Sequence, residues 1–343
     1  MSDSVPWPFA GRVAGLIAGS HPLSSTYHAE HLADELGRVV SRANALVTAE
    51  TGLTLPGDPD VVLVSRQQWV ERNIATFRHI LAPAEERLVE ANDVSAAVGR
   101  RLVAAETGAL LGFLSRRVLG QYELVLPTGD DGDSIAFVGS NILGMERSHQ
   151  LRPAEFRMWI ALHEAAHRAQ FIGVPWMRGH FLSLVEEMVS AAQPSRSGRA
   201  RSLLDRALSA RREGGGLIDE RGLMGLFATP EQNEVLDRIQ GLMSLLEGHG
   251  HVVMDRIGAR LLTSQTRMAS ILKARRSDPR TAAFFRLTGL EMKVKQYELG
   301  EKFVLAVERE AGWHALDRAW QSPSNLPTAA EIEDPAAWLA RTA

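Results

Sequence analysis

Residues 158–171 read MWIALHEAAHRAQF, and this stretch combines an apolar run with two histidines and a glutamate at helical spacing. His163 and His167 are four positions apart, so on a helix they lie on the same face, one turn from each other. The apolar run 158–162 precedes them, which indicates a mostly buried helix. Two imidazoles at this spacing can converge on one Zn²⁺, with Glu164 beside them as a general base.

The burial of this helix distinguishes a metal site from a chance match. The H-E-x-x-H pattern is short, and two histidines at this spacing can be ordinary residues of an exposed helix. On a buried helix, however, three polar side chains without partners cost several kcal/mol, on the order of the known penalty for burying polar groups. A bound metal offsets that cost, so we predict Zn²⁺ as the cofactor.

A catalytic zinc site has three protein ligands and one open position, so a third ligand is needed. Glu247 is the favoured residue, because it lies on a second long helical pattern and completes a His₂Glu set. His251, one helical turn further on, is a second candidate. His249 points to a different face, which predicts a position at the surface or behind the ligands. Three more candidate ligands lie closer to the motif in the chain: His180, Glu186 and Glu187.

The composition limits the classes of protein to which this chain can belong. With 343 residues, 45% of them hydrophobic and 23% charged, it can bury a sizeable core. The net charge of −3 gives no indication of a nucleic-acid partner. Without cysteine, disulfides and thiolate zinc sites are excluded. No secretory signal and no membrane span is visible, so we predict a cytoplasmic protein, whose oligomeric state the sequence does not reveal.

Hydrophobic periodicity predicts a predominantly helical α+β fold with a small sheet. The turn at 130–133 is expected to be solvated, Asn141 to precede a loop, and residues 323–327 and 334–335 in the tail to be extended and loop-like. Helices are expected over 24–51, 65–81, 94–119, 153 onward, 178 onward, 230–257 and 282–311, the last with a break at Gly300. Strands are expected over 61–64, 121–127 and 135–139. For domains, we predict a mostly helical region 1–120 and a metal-binding region 121–343.

The wider pattern resembles the zincin-like metallopeptidases of actinobacteria, some of which are designated hydrolases and others linked to deazaflavin coenzyme biosynthesis. The resemblance covers nearly the whole chain. It rests on the motif helix and on residues 170–176, 246–249, 289–303 and 326–341.

The resemblance implies a zincin-like fold, with the motif helix beneath a small sheet and Glu247 supplied by a second helix. Relatives with a glutamate ligand often continue with Gly, as Glu247-Gly248 does here. Some relatives place an Asp four residues after that glutamate to orient a histidine, whereas this chain has His251. Asp255 is then the candidate orienting residue.

The predicted function is that of a zinc-dependent metallopeptidase or amide hydrolase, in which Glu164 takes a proton from a zinc-activated water. Tyr297 is the predicted catalytic donor to the carbonyl oxygen, and His251 and His180 are also candidates for this role. If the strand 135–139 lies at the edge of the sheet, it could pair with an extended peptide. Two different functions are also compatible with the sequence: a non-catalytic zincin-fold binding or scaffold protein, and an amidohydrolase acting on a small molecule in a coenzyme pathway.

Overall fold

The computed structural model describes residues 5–24, 26–88, 94–125, 131–191, 230–276 and 291–343. Twelve α-helices are found in these ranges: α1 Trp7–Ala18, α2 Tyr27–Thr51, α3 Arg66–Leu88, α4 Val94–Ser115, α5 Gly139–Ser148, α6 Pro153–Ile172, α7 Met177–Ala191, α8 Pro230–Leu261, α9 Gln265–Arg276, α10 Glu291–Ala311, α11 Ala329–Glu333 and α12 Pro335–Arg341. Two short 3₁₀ helices, Trp313–Trp320 and Pro323–Asn325, precede α11. Among these elements, no helix is both long and apolar enough to cross a lipid bilayer.

The sheet has three strands, β1 Asp60–Val64, β2 Gly120–Val125 and β3 Asp131–Val138, in the order β1-β3-β2. Strand β3 runs parallel to β1 and antiparallel to β2. The mostly helical α+β fold is thereby confirmed. The edge position considered for residues 135–139 is wrong, because β3 is the central strand and β1 and β2 form the edges. Strand β1 pairs with β3 although about seventy residues separate them in the sequence, and a local sequence pattern cannot reveal such a pairing.

Backbone contacts divide the chain into two compact units, residues 1–178 with 253–268, and residues 179–252 with 269–343. The boundary expected at residue 120 stays a prediction. In the first unit, α6 packs against α2 and β2, and α1 packs against α4. Helix α1, to which no element was assigned from the sequence, buries Trp7, Ala10 and Ala14. The loop expected after Asn141 is wrong: α5 follows β3 directly and buries Ile142 and Met145.

In the second unit, α8 and α10 approach each other at two glycines. A Cβ atom built on Gly248 would lie 2.1 Å from the carbonyl carbon of Gly300, and one built on Gly300 would lie 1.8 Å from the carbonyl oxygen of Ser244. The break expected at Gly300 is therefore wrong. The helix continues through this residue, and the absence of a side chain serves close packing of the two backbones.

The extended tail predicted over 323–327 and 334–335 is wrong for residues 323–325, which form a 3₁₀ helix, and for Pro335, which starts α12, whereas residues 326–327 lie outside any helix. Thr328 and Glu331 form a reciprocal capping box at the start of α11, and the Asp334 carboxylate caps α12. Trp338 is fully buried and donates a hydrogen bond from its indole N–H to the carbonyl of Asn325. Pro323 and Pro335 stand at the first-turn positions of the second 3₁₀ helix and of α12, where a backbone N–H would have no acceptor within the helix.

Candidate metal centre

Helix α6 carries the H-E-x-x-H residues and begins at Pro153, as predicted. The Nε2 atoms of His163 and His167 lie 3.2 Å apart, with the two rings nearly perpendicular. Two nitrogens bound to a tetrahedral zinc ion at about 2.0–2.1 Å would be about 3.3 Å apart. The two imidazoles therefore already have the separation that one shared ion requires.

The structure brings Glu247 to this pair. His163, His167 and Glu247 each offer a ligand atom, and these atoms all lie within 4.8 Å of one another. Among the described side chains, no other set of three or more His, Asp or Glu residues meets that condition. Glu247 itself is buried, with only 6% of its surface exposed.

The residues that competed with Glu247 as third ligand have different surroundings. The Nδ1 atom of His251 lies 3.0 Å from the backbone oxygen of Glu247, one helical turn earlier, and this buried ring is outside the ligand group. His180 is also outside it, and burial followed by the charge of Arg238 lowers its pKa, with Glu187 opposing the shift. Glu187 is exposed and forms an ion pair with Arg238.

The residue that orients His167 was missed in the sequence. Gln170 is completely buried, and its side-chain oxygen lies 3.0 Å from Nδ1 of His167. An amide oxygen only accepts hydrogen bonds, so this contact places a proton on Nδ1 and leaves the lone pair on Nε2. The available signal was its position three residues after His167, on the same helix face. Asp255, the predicted orienting residue, accepts a hydrogen bond from the side-chain amide of Gln265.

Glu164, the predicted base, lies against edge strand β2. Its Oε2 atom accepts a hydrogen bond of 2.9 Å from the backbone N–H of Tyr122. At Gly120, a Cβ atom would come within 2.7 Å of Oε1, so only glycine leaves room for the carboxylate in this position. An edge strand therefore does border the candidate site, but it is β2 and not the strand 135–139 that was predicted.

An ion pair between a fully buried arginine and a partly exposed aspartate joins α6 to the sheet. Arg168 is completely buried and donates hydrogen bonds of 2.7 Å to both carboxylate oxygens of Asp133 and to the backbone oxygen of Pro56. The turn predicted over 130–133 is therefore wrong for Asp133, which belongs to β3 and remains partly exposed, while Asp130 lies outside the described residues. Burial, and then the negative charge of Asp133, raises the pKa of Tyr122.

His249 is buried, so the first of its two predicted positions, at the surface, is wrong. Its ring is almost fully buried in the second unit, stacked on Trp313 at 5.6 Å and edge-on to Trp320 at 5.0 Å between ring centroids. The two tryptophans are more than sixty residues downstream, so no local pattern revealed this packing. The side chain of Tyr297, the predicted donor, lies outside the described part of the chain, and its role stays a prediction.

Comparisons with known proteins agree with this geometry. The crystal structure of a candidate hydrolase with a novel fold, from Chloroflexus aurantiacus, superposes with a TM-score of 0.72 at 31% sequence identity, covering 98% of each chain. No curated protein sequence matches this chain. The predicted resemblance is confirmed at the level of the family, whereas the actinobacterial origin and the deazaflavin connection stay predictions. The model of the zincin-like metallopeptidase family matches residues 5–339, so the chain belongs to that family.

Proposed function

We propose that this protein is a zinc-dependent hydrolase of peptide or related amide bonds, with His163, His167 and Glu247 as the metal ligands. The observation that carries the proposal is the cluster of three ligand atoms within 4.8 Å, built on the H-E-x-x-H helix. Family membership and the hydrolase designation of the structural neighbour support the same reaction class.

The donor set fits a catalytic zinc ion. Two imidazoles and one carboxylate are the ligands of several hydrolytic zinc sites, and they leave a fourth position open. The spacing of the two Nε2 atoms agrees with tetrahedral geometry to about 0.1 Å. When bound, zinc would supply Lewis-acid polarisation of the scissile carbonyl and of the attacking water.

Glu164 acts in this proposal as general base and then as general acid. Its carboxylate accepts the proton of the water that attacks the carbonyl carbon, and it returns the proton to the leaving nitrogen. The N–H of Tyr122 restrains the carboxylate through a charge-assisted hydrogen bond, and Gly120 provides the space next to it. Gln170 holds the ring of His167 in the orientation that presents Nε2. Tyr297 is the proposed donor to the developing oxyanion.

Metal analysis of purified variants tests the ligands. We expect about one zinc ion per chain in the wild-type protein and loss of most of it in Glu247→Ala. Glu234→Ala is the matched control, because Glu234 is an exposed glutamate near the start of the same helix. If Glu247→Ala retains zinc as fully as Glu234→Ala does, the assignment of Glu247 is refuted.

A second measurement separates catalysis from binding. Wild-type and Glu164→Gln proteins are incubated with a mixed peptide library, and cleavage is followed by mass spectrometry. Glu164→Gln should retain zinc while cleavage falls by roughly 10²-fold or more, as for the loss of a general base. Equal cleavage by both proteins, or no cleavage by the zinc-loaded wild type, contradicts the proposed peptidase reaction.

A further inference from the structure

A polar cavity lies in the first unit, at the carboxyl ends of β1 and β3. Its volume is about 110 Å³, several times the roughly 10–15 Å³ that one ordered water requires. Leu63 and Val64 form its apolar wall, and the other lining residues are polar or glycine: Ser24, Ser65, Gln68, Gly139 and Ser140. None of these residues belongs to the candidate metal centre.

Two helices begin at this cavity. Because β1 and β3 are parallel, their carboxyl ends lie at the same edge of the sheet, where α3 starts at Arg66 and α5 at Gly139. Backbone N–H groups of a first helical turn have no acceptor within the helix, and they carry the positive end of the helix dipole. Neither helix has an acidic residue in its first turn. Such an arrangement is suited to an anion.

The two helix starts differ in how their N–H groups are satisfied. In α3, the hydroxyl of Ser65 accepts from the N–H of Gln68 at 3.2 Å, and the side-chain oxygen of Gln68 accepts from the N–H of Ser65 at 2.8 Å. This reciprocal capping box satisfies N–H groups at the start of α3. In α5, no side chain caps the first turn. Gly139 and Ser140 thus bring an uncapped helix start to the cavity wall.

Ser140 supplies an independent indication of a ligand. Its side chain is only 3% exposed, it lines the cavity, and its hydroxyl has no hydrogen-bond partner in the described structure. Buried hydroxyl groups are nearly always hydrogen-bonded, so an unsatisfied one that faces a cavity indicates a polar occupant.

A cation stands next to the cavity: Arg66, the first residue of α3, follows the lining residue Ser65. The guanidinium of Arg66 donates to the side-chain oxygen of Asn141 at 2.8 Å and to the backbone oxygen of Ala18 at 3.5 Å, and both acceptors are neutral. Burial and the nearby charge of Arg116 lower the pKa of Arg66. Burial and the charge of Arg66 likewise lower the pKa of His21. A cation in the first turn of a helix is unfavourable unless an anion is near.

We propose that this cavity binds a small tetrahedral oxyanion of the phosphate class. The Ser140 hydroxyl and the first-turn N–H groups of α5 donate to its oxygens, and Arg66 contributes the attractive field. The cavity has room for a free oxyanion, whose several acceptor oxygens suit donors that converge from different sides. The proposal is independent of the proposed hydrolase function, because no residue of the metal centre takes part.

Isothermal titration with sodium phosphate, at constant ionic strength in a zwitterionic buffer, tests the site on the full chain. Wild-type protein should show saturable binding of one phosphate, and sulfate should compete, whereas sodium chloride should not. Ser140→Ala should weaken phosphate binding roughly 5- to 10-fold, the effect of one lost hydrogen bond. Ser140→Asp, which places a carboxylate in the cavity, should abolish it.

Two further variants test whether phosphate binds at the start of α5 and not elsewhere on the protein. Ser148→Ala removes an exposed hydroxyl from the other end of α5 and should bind phosphate as the wild type does. His163→Ala should also bind it normally, since a loss there would locate the phosphate at the metal centre and overturn the proposal. Absence of saturable binding to the wild type, or unchanged binding by Ser140→Ala, would equally overturn it. Ser140→Ala removes only one atom, so the test remains valid even if Ser140→Asp does not fold.

Discussion

Replacing Gly300 by alanine should destabilise the protein, although alanine is the better helix former by about 1 kcal/mol. The added Cβ atom would lie 1.8 Å from the carbonyl oxygen of Ser244, whereas ordinary contacts of a Cβ atom begin at 3.4 Å. The distance is 1.6 Å too short, and the Ser244 oxygen belongs to the backbone, so it cannot move aside by a side-chain rotation. Helices α8 and α10 must therefore separate at their crossing.

The magnitude follows from two opposing effects. Inserting one methyl group into a close-packed contact costs about 1–3 kcal/mol, occasionally more, and a gap of 0.5–1 Å elsewhere along the helices forfeits a quarter to a half of their dispersion energy. Because the obstructing atom is backbone, we take the upper end of that range, and after subtracting the helix-propensity gain we expect a loss of about 2 kcal/mol in the free energy of unfolding. Since Gly248 also lies at this crossing, the adjacent ligand Glu247 should move with α8, and zinc affinity should fall.

Urea denaturation followed by circular dichroism measures this loss, with Gly37→Ala as the matched control. Gly37 lies in the middle of α2, and a Cβ atom built there meets nothing within 4 Å. That variant should gain roughly 0.5–1 kcal/mol from helix propensity alone. If Gly300→Ala proves as stable as Gly37→Ala, the close contact inferred between the two backbones is refuted.

Three further predictions concern α6 and its neighbours. Gly120→Ala should push the Glu164 carboxylate aside and lower peptide cleavage by roughly 10²-fold at unchanged zinc content, and cleavage at the wild-type rate would argue against this positioning. Gln170→Met should weaken zinc binding roughly 10- to 100-fold in a competition with a chelating dye, and an unchanged affinity would remove Gln170 from the site. Hydrogen bonds from the hydroxyl and N–H of Ser264 lower the pKa of Glu155 to about 2, so its stabilisation is complete above pH 4.5 and is lost as the pH falls toward 2. Acid titration of Glu155→Gln should therefore show a shallower loss of stability over that window, by no more than about 1 kcal/mol because solvent screens this carboxylate, and an identical slope would contradict the shift.

Much of the local structure could be predicted, because helices and strands leave periodic signals. The start of α6 at Pro153, the start of α7 near Arg178 and the long helix from Pro230 all agree with the expected positions. Predictions failed where proline was taken to mean extended chain, as after Pro323. Proline is equally compatible with the first turn of a helix, and the capping residues around it decide between the two.

In the candidate site too, the local features could be predicted from the sequence, whereas the contacts between distant residues could not. The spacing of His163 and His167 fixed their shared helix face, and the ligand chemistry of zinc favoured Glu247 as their partner. The contacts that position the site join distant residues: the N–H of Tyr122 with Glu164, and Asp133 with Arg168. Such pairs depend on which strand occupies the edge of the sheet. Periodicity indicates which face of a helix or strand is buried, but it does not identify the element that packs against that face.

The sequence alone was enough to identify the candidate ligands His163, His167 and Glu247 and the helices that carry them, because i,i+4 spacing and apolar runs are local properties of the chain. Only the tertiary structure decided that β3 is central, that β2 borders Glu164, and that Gln170 orients His167. It also showed the uncapped start of α5 and the cavity beside Ser140. These features arise from the packing of elements that are far apart in sequence, and packing is settled by the whole fold.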